Sequence, residues 1–348
     1  MTQVRFAIPG DLATPTGGYG YDRQVMAKLP EFGIDIRHLP LPGSFPFPSE
    51  ADLDETADRL AGIGESAVLL IDGLALGAFP VRLLDRIGAP VIAMLHHPLG
   101  LETGLSAAES EALLALEKVA LTRTRAVIVT SRTTAETLAE LGFAPPPPVI
   151  VAEPGTEPAR RAVGGGGVCE ILSVGAVVPR KGHDLLIAAL AALADLDWCC
   201  TIAGSLDRDG AYAAGLMGQI EDAGLGSRIA FAGPMSAEAL DELYAKADIF
   251  ALPSRYEGYG MAFAEALARG LPVIAARAGA VPGTVPPDAG ILVPPDDAGA
   301  LKEALSLLIG DRGRRRALSD AAWAHAGRLP RWRDTARIIA EVIKGVAG

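Results

Sequence analysis

Short, nearly continuous aliphatic runs alternate along this chain with longer stretches of helical periodicity. In the first half the runs are VRFAIPG (4–10), AVLLIDG (67–73), PVIAMLHH (90–97) and RAVIVTS (125–131). Lacking a polar face, they fit strands buried on both sides of a parallel sheet. Between them the spacing predicts helices near 19–30, 50–62, 79–87, 106–121 and 132–141. This is the βαβ rhythm of a doubly wound sheet. Ligands of such sheets bind at the carboxyl ends of the strands. The Gly, Asp, His and Ser residues that close the runs are therefore the positions to inspect.

The rhythm breaks at APPPPV from residue 144, resumes briefly in VIVAEPG, and dissolves in TEPARRAVGGGG up to Gly167. Pro and Gly at this density continue neither element, which predicts a linker over 154–167. Alternation then restarts. CEILSVG (169–175), WCCTIAG (198–204), RIAFAG (228–233), DIFALPS (248–254), PVIAA (272–276) and GILVP (290–294) read as strands, with KGHDLLIAALAAL, AYAAGLMGQIEDAG, SAEALDELYAKA and MAFAEALARG as helices among them. The expected fold class is α/β, with two doubly wound, Rossmann-like domains at 1–153 and 168–330. A last helix within 331–348 is expected to pack back on the first domain.

Length supports two domains, since 348 residues exceed one ordinary core. The net charge of −11 argues against nucleic acid, whose binding draws on Lys and Arg against phosphate. Residues 1–150 hold 11 basic and 18 acidic side chains, a net of −7, which also argues against strong association with anionic membranes. Arg314, Arg315 and Arg316 read as the solvated face of a charged helix. No apolar run reaches the roughly 18 residues of a spanning helix, and the N-terminus lacks a signal-peptide layout, so a soluble, cytoplasmic protein is expected. The three cysteines, Cys169, Cys199 and Cys200, fit neither a disulfide framework nor a zinc site and read as buried thiols.

The segment with the most chemistry is SRYEGYGMAFAEALARG, Ser254 to Gly270. Pro253 and Ser254 end a strand, Gly258 and Gly260 permit a tight backbone, and a helix begins near Met261. Unpaired N–H groups and the macrodipole at a helix start suit a diphosphate. Glu265 lies one turn into the helix and leans back toward its start, so that it and Glu257 can face one ligand. Carboxylates beside a phosphate site need hydroxyl donors, which a ribose and a sugar ring provide.

The segment resembles the Glu-x7-Glu signature of the retaining glycosyltransferases of family 4, which have the GT-B fold, and the resemblance extends over most of the chain. ILSVGAVVPRKGHDLLIAAL, IAFAGPMSAEALDELYAKADIFALPSRYEGYGMAFAEALARGLPVIA, VIVTSRTTAETLAELG and TPTGGYGYDRQV carry it. It implies two Rossmann-like domains facing across a cleft, the first on the acceptor side and the second holding a nucleotide-sugar donor. Carried over by position, it implies that Glu257 contacts hydroxyls of the transferred sugar and acts in catalysis, that Gly260 and Met261 offer backbone amides, that Glu265 holds the ribose, and that Lys181 contacts phosphate. Arg180, Gly258 and Tyr259 complete the implied donor set. A cation on the diphosphate stabilises the departing nucleotide without a metal, so neither metal nor cofactor is expected. Three departures stand out: Ala176 where the family commonly has Arg, Gly283 where it carries a glutamate, and EPGTE at 153–157 in place of its Asn-Gly segment.

In the first domain, Gly17 and Gly18 open a helix and permit close approach of a diphosphate. The resemblance implies that His96, at a strand end, acts catalytically beside the reacting sugar. His97 and the aromatic loop GSFPFPS, with Phe45 and Phe47, are candidates for the acceptor side, the loop reading equally as a plain connector, and whether His96 or His97 faces the ligand stays open. DRD at 207–209 resembles a metal-holding Asp-x-Asp but reads better as a turn. The expected activity is retaining, metal-independent transfer, by front-face attack, from a nucleoside diphosphate sugar to a hydroxyl of a soluble acceptor. Family usage favours UDP. The alternatives are an epimerase or hydrolase on the same scaffold, or a nucleotide-sugar-binding protein without chemistry.

Overall fold

The computed structural model describes residues 1–102, 104–143, 148–164 and 166–348; the first residues of the APPPPV break, 144–147, lie outside them. The chain forms two units, one of Met1–Gly155 with Pro330–Gly348 and one of Thr156–Leu329. The strands of the first are β1 (Thr2–Pro9), β2 (Ile34–Leu41), β3 (Val68–Asp72), β4 (Val91–Leu95), β5 (Ala126–Val129) and β6 (Val149–Val151). They lie in the order β2-β1-β3-β4-β5-β6, every neighbouring pair parallel. In the second unit, β7 (Cys169–Val174), β8 (Trp198–Ala203), β9 (Ile229–Gly233), β10 (Ile249–Leu252), β11 (Val273–Ala276) and β12 (Gly290–Val293) form a parallel sheet of order β12-β11-β10-β7-β8-β9.

The winding reverses direction once in each sheet, between β1 and β3 and between β7 and β10. Connections leave in opposite directions at such a point and open a crevice at the carboxyl ends of the strands. Central strands are buried on both faces, as β3, β4 and β5 show along their whole length. In the second unit successive residues alternate between two cores. Ile249 and Ala251 join one cluster with Leu186 and Leu305, while Phe250 and Leu252 join another with Tyr244 and Phe263.

The helix Trp332–Ala347 belongs to the first unit. Its buried positions, Trp332, Thr335, Ala336, Ile339, Ala340 and Ile343, follow the three-four spacing of a single apolar stripe. Trp332 meets the ring of Tyr21 edge-on at 5.6 Å, and Thr335 donates a hydrogen bond to the Glu153 carbonyl at 2.6 Å. Gly155 lies so close that a Cβ there would stand 2.1 Å from the Trp332 nitrogen.

Several expectations are corrected. β2 was not anticipated; it is an edge strand with half-exposed positions and Pro40, so it lacks the continuous apolar run of its neighbours. The helix expected at 79–87 is a single turn, Val81–Leu84, bounded by prolines at 80 and 90. Part of the linker expected at 154–167 is strapped to the second unit: Ala162 N–H donates to the Arg269 carbonyl and Val163 N–H to that of Ala245. Arg315 is not simply solvated, because its guanidinium donates to the Leu308 carbonyl at 2.6 Å and caps the preceding helix.

Candidate functional site

In the second unit both edges of the winding reversal supply candidate residues. Past β7 the chain makes a 3-10 turn, Pro179–Lys181, closed by Gly182 at φ 70°. A Cβ at Gly182 would lie 2.2 Å from the Pro253 carbonyl oxygen, so only glycine lets this turn pack against the end of β10. Arg255 fixes the turn further. Its N–H donates to the Arg180 carbonyl at 2.7 Å, and its guanidinium grips both carboxylate oxygens of Asp184 at 3.0 and 2.8 Å.

The result is a buried ion pair. Glu257 is 6% exposed, and its Oε1 accepts from Lys181 Nζ at 2.6 Å and from the Ser254 hydroxyl at 2.7 Å. The Arg180 guanidinium stands 3.6 Å from Oε2 while donating to the Tyr256 carbonyl at 3.0 Å. Burial by itself would raise the pKa of Glu257; the charges of Lys181 and Arg180 and the two hydrogen bonds outweigh it and hold the carboxyl below its ordinary range. The group is ionised at neutral pH.

The helix Met261–Ala268 starts directly beyond, capped by Gly260 at φ 92°. Tyr259 is buried, and its carbonyl accepts from Thr284 Oγ1 at 2.7 Å. Glu265, one turn in, accepts a hydrogen bond from the Tyr244 hydroxyl on Oε2 at 3.0 Å, leaving Oε1 without a protein partner among the described residues. Burial raises its pKa, against the Tyr244 hydrogen bond and the nearby Arg269 charge. Glu257 and Glu265 thus differ: one is saturated by cations, the other is held by a single hydroxyl. Asp209, from DRD, caps the helix Gly210–Asp222 by accepting from the Tyr212 N–H at 2.9 Å.

In the first unit the helix Gly17–Lys28 follows β1, capped by Thr16, whose hydroxyl accepts from the Tyr19 N–H. His96 lies just past β4, close enough to Gly18 that a Cβ there would meet the imidazole Cδ2 at 3.3 Å. Its Nε2 stands 3.4 Å from Asp22 Oδ1 and 3.6 Å from Asp72 Oδ2. His97 turns elsewhere and pairs with Glu102 at 3.0 Å. The aromatic loop divides. Phe45 does not wall a ligand space, because its ring is buried in the core against Phe79, with centroids 5.6 Å apart. Phe47 is exposed.

Sequence reasoning passed over Asp22, Asp72 and Ser254 as functional groups. Asp72 stands just before Gly73 at the end of the run AVLLIDG and Ser254 closes DIFALPS, so the rule of inspecting strand ends pointed at both. Asp22 carried no such signal, since a helical Asp ordinarily reads as solvated. Among the described residues, Asp22, Asp72 and His96 are also the group of His, Cys, Asp or Glu whose donor atoms come close together, all within 4.8 Å.

Comparison with known proteins accords with this layout. Residues 4–155 match the family model described as "Glycosyl transferase 4-like domain", and residues 166–325 match "Glycosyl transferases group 1". The chain is 33% identical over 185 residues to a GDP-mannose-dependent alpha-(1-6)-phosphatidylinositol monomannoside mannosyltransferase of Mycolicibacterium smegmatis, covering 50% of this chain and 47% of the relative. It is 29% identical over 271 residues to a D-inositol 3-phosphate glycosyltransferase of Salinispora tropica, covering 70% and 56%. The chain spans about half the length of the curated relatives it matches first. Among solved structures, sucrose-phosphate synthase from Thermosynechococcus elongatus superposes with a TM-score of 0.84 at 22% identity, over 99% of both chains. HepE from Anabaena, in complex with UDP and glucose, gives 0.80 at 18%, over 99% of this chain and 100% of the other. The two family models between them account for nearly the whole chain, and the chain belongs to the family 4 type of glycosyltransferases, with the GT-B fold.

Proposed function

We propose that the protein transfers a sugar from a nucleoside diphosphate sugar to a hydroxyl of a soluble acceptor, with retention and without a metal. The observation that carries the reading is the buried Lys181–Glu257 pair at the β7/β10 reversal, directly before the helix that bears Glu265. In this reading Lys181, Arg180 and the amides at Gly260 and Met261 take the charge that grows on the departing diphosphate. Gly258 and Tyr259 shape the backbone of that loop. Glu257, ionised and fixed, accepts from hydroxyls of the transferred sugar, and the open oxygen of Glu265 accepts from the ribose. The first unit offers candidate ligand contacts of its own, His96 and the helix start at Gly17 and Gly18.

These residues address the diphosphate, ribose and sugar, which every such donor shares. The base is therefore open to assay: family usage favours uridine, whereas the mannosyltransferase relative is named for GDP-mannose. The acidic first unit supports a soluble acceptor. One departure from the family pattern, Ala176 in place of its usual Arg, leaves Arg180 as the second cation near the pair.

The test is a panel of UDP- and GDP-sugars, scored by thermal shift and by nucleotide release with and without acceptors. Expected are stabilisation by one nucleotide class, release that depends on acceptor, and turnover that survives excess chelator. Glu265→Ala should weaken nucleotide binding by about 1.5–3 kcal/mol in calorimetry. Turnover lost on chelation and restored by magnesium or manganese would refute the metal-free mechanism. Unchanged affinity in Glu265→Ala would refute the site.

A further inference from the structure

Two of the most deeply buried charges in the first unit face a single imidazole. Asp22, on the helix Gly17–Lys28, is 0% exposed, and Asp72, at the end of β3, is 2% exposed. Neither is paired with an arginine or lysine among the described residues. Asp72 Oδ1 accepts the Leu74 N–H at 2.6 Å, and its Oδ2 points at His96. Asp22 has no hydrogen-bond partner on either oxygen among the described residues, and what faces it is the same imidazole nitrogen together with the Asp72 carboxylate. Buried carboxylates are costly unless compensated. A neutral imidazole would leave Asp22 uncompensated and Asp72 with only the Leu74 N–H.

The remaining surroundings hold the ring in one orientation. The His96 carbonyl accepts from Thr130 Oγ1 at 3.1 Å, Tyr21 stands edge-on to the ring at 5.4 Å, and the bare Cα of Gly18 lets the helix start lie against Cδ2. Nε2 is buried, while the side chain as a whole keeps 22% exposure, so the accessible edge is the one that carries Nδ1.

We propose that Asp22 and Asp72 are positioning residues that keep His96 an imidazolium, Nε2–H turned inward on them and Nδ1–H presented at the accessible edge as a donor to a ligand oxygen. The target of Nδ1–H rests on the donor reading above; the charge state of the ring does not. His96 is then a fixed hydrogen-bond donor and takes no proton from the acceptor hydroxyl. Proton balance agrees. Burial by itself would lower the His96 pKa, but the two carboxylates raise it to about 10. Burial, together with the neighbouring Asp72, lifts Asp22 to about 7 against the pull of His96. Burial works against ionised Asp72 as well, yet its hydrogen bond and charge pairing with His96 bring it below the ordinary value.

The experiment is a pH titration of the full chain labelled with ¹³C/¹⁵N-histidine, His96 being assigned among the five histidines by His96→Gln. The expected result is a His96 ring that stays charged from pH 6 to above 8, and whose midpoint falls by at least two pH units in Asp72→Asn. The same variant should lower kcat with little change in donor KM, and Asp22→Asn should do so more weakly. A His96 midpoint near 6.5 in the unaltered protein would overturn the proposal and needs no variant to fold. So would a ring that stays charged in both Asn variants. Selective broadening of His96 by Mn²⁺ alone, abolished in Asp72→Asn, would make the trio a cation site instead. Failure of every donor in turnover assays would count against the proposed function and leave the titration decisive for His96.

Discussion

Lys181→Met offers the sharpest test of whether the buried pair is an energetic unit. Lys181 Nζ lies 2.6 Å from Glu257 Oε1, with side-chain exposures of 15% and 7%. At an effective dielectric of about 20, charges this close attract by roughly 6 kcal/mol, against a desolvation cost of several kcal/mol per ion. Removing the lysine keeps that cost for Glu257 and loses most of the attraction. What remains is the Ser254 hydroxyl at 2.7 Å and the Arg180 guanidinium at 3.6 Å. The second unit should lose about 3 kcal/mol, the low end for a broken buried pair, because Arg180 still compensates in part. In a Glu257→Gln background the same change should cost about 1 kcal/mol, giving a coupling of about 2 kcal/mol. Denaturant-dependent amide exchange in β7 and β10 reads the second unit by itself. The sign in pH follows from the depressed carboxyl: its contribution is present above pH ~4.5 and lost as pH falls through the folded value, so Lys181→Met should flatten this acid limb. Additivity of the two substitutions within about 0.5 kcal/mol would refute the reasoning.

Glu117 is fully buried, with the Leu99 N–H at 3.2 and 3.4 Å, and burial pushes its pKa to about 8. The folded state holds a proton that the unfolded state releases near pH 4.5, so stability falls as pH rises from ~4.5 to ~8; Glu117→Gln should gain on the order of 3 kcal/mol above pH 8, and parallel pH–stability curves for the two proteins would contradict this. His183 is also fully buried, with neither ring nitrogen partnered among the described residues, and burial together with the Lys181 charge drives its pKa to about 3. Protonation of the unfolded chain should erode stability as pH falls from ~6.5 toward 3, and His183→Leu should remove that erosion; equal acid limbs would show that His183 titrates normally. With a net of −7 over residues 1–150, the protein should stay in the supernatant with anionic vesicles at physiological salt. Pelleting that high salt reverses would point to a basic patch and a lipid acceptor.

What could be read from sequence follows from how each residue is buried. Strands such as β3 and β4, covered on both faces, must be apolar throughout and announce themselves. β2 pairs along one edge only, tolerates Arg37, His38 and Pro40, and leaves no such run. Lys181 and Glu257 were legible as separate motif positions, but 76 residues separate them, and their ion pair is a product of the β7/β10 adjacency. Asp22 was illegible because what makes it unusual is burial against an imidazole from another segment, which no local pattern encodes. Phe45 misled for the converse reason: an aromatic, proline-rich loop looks like a ligand wall, whereas one of its rings fills the core beside Phe79.

The return of the helix Trp332–Ala347 to the first unit has a consequence for synthesis. A ribosome delivers residues 1–155 before Thr156–Leu329, but the stripe that covers Tyr21 is made only after all of Thr156–Leu329. The second unit is a contiguous guest that has every residue it needs before its host is whole. The nascent first unit must therefore wait with an apolar face uncovered for as long as some 190 further residues take to emerge, about 10–40 s at ordinary elongation rates. Gly155, pressed against the Trp332 nitrogen, is where the chain that left the host meets the chain that comes back. A side chain there would leave both units their own cores and obstruct the final docking step, so that damage would appear as slow maturation and aggregation of new chains.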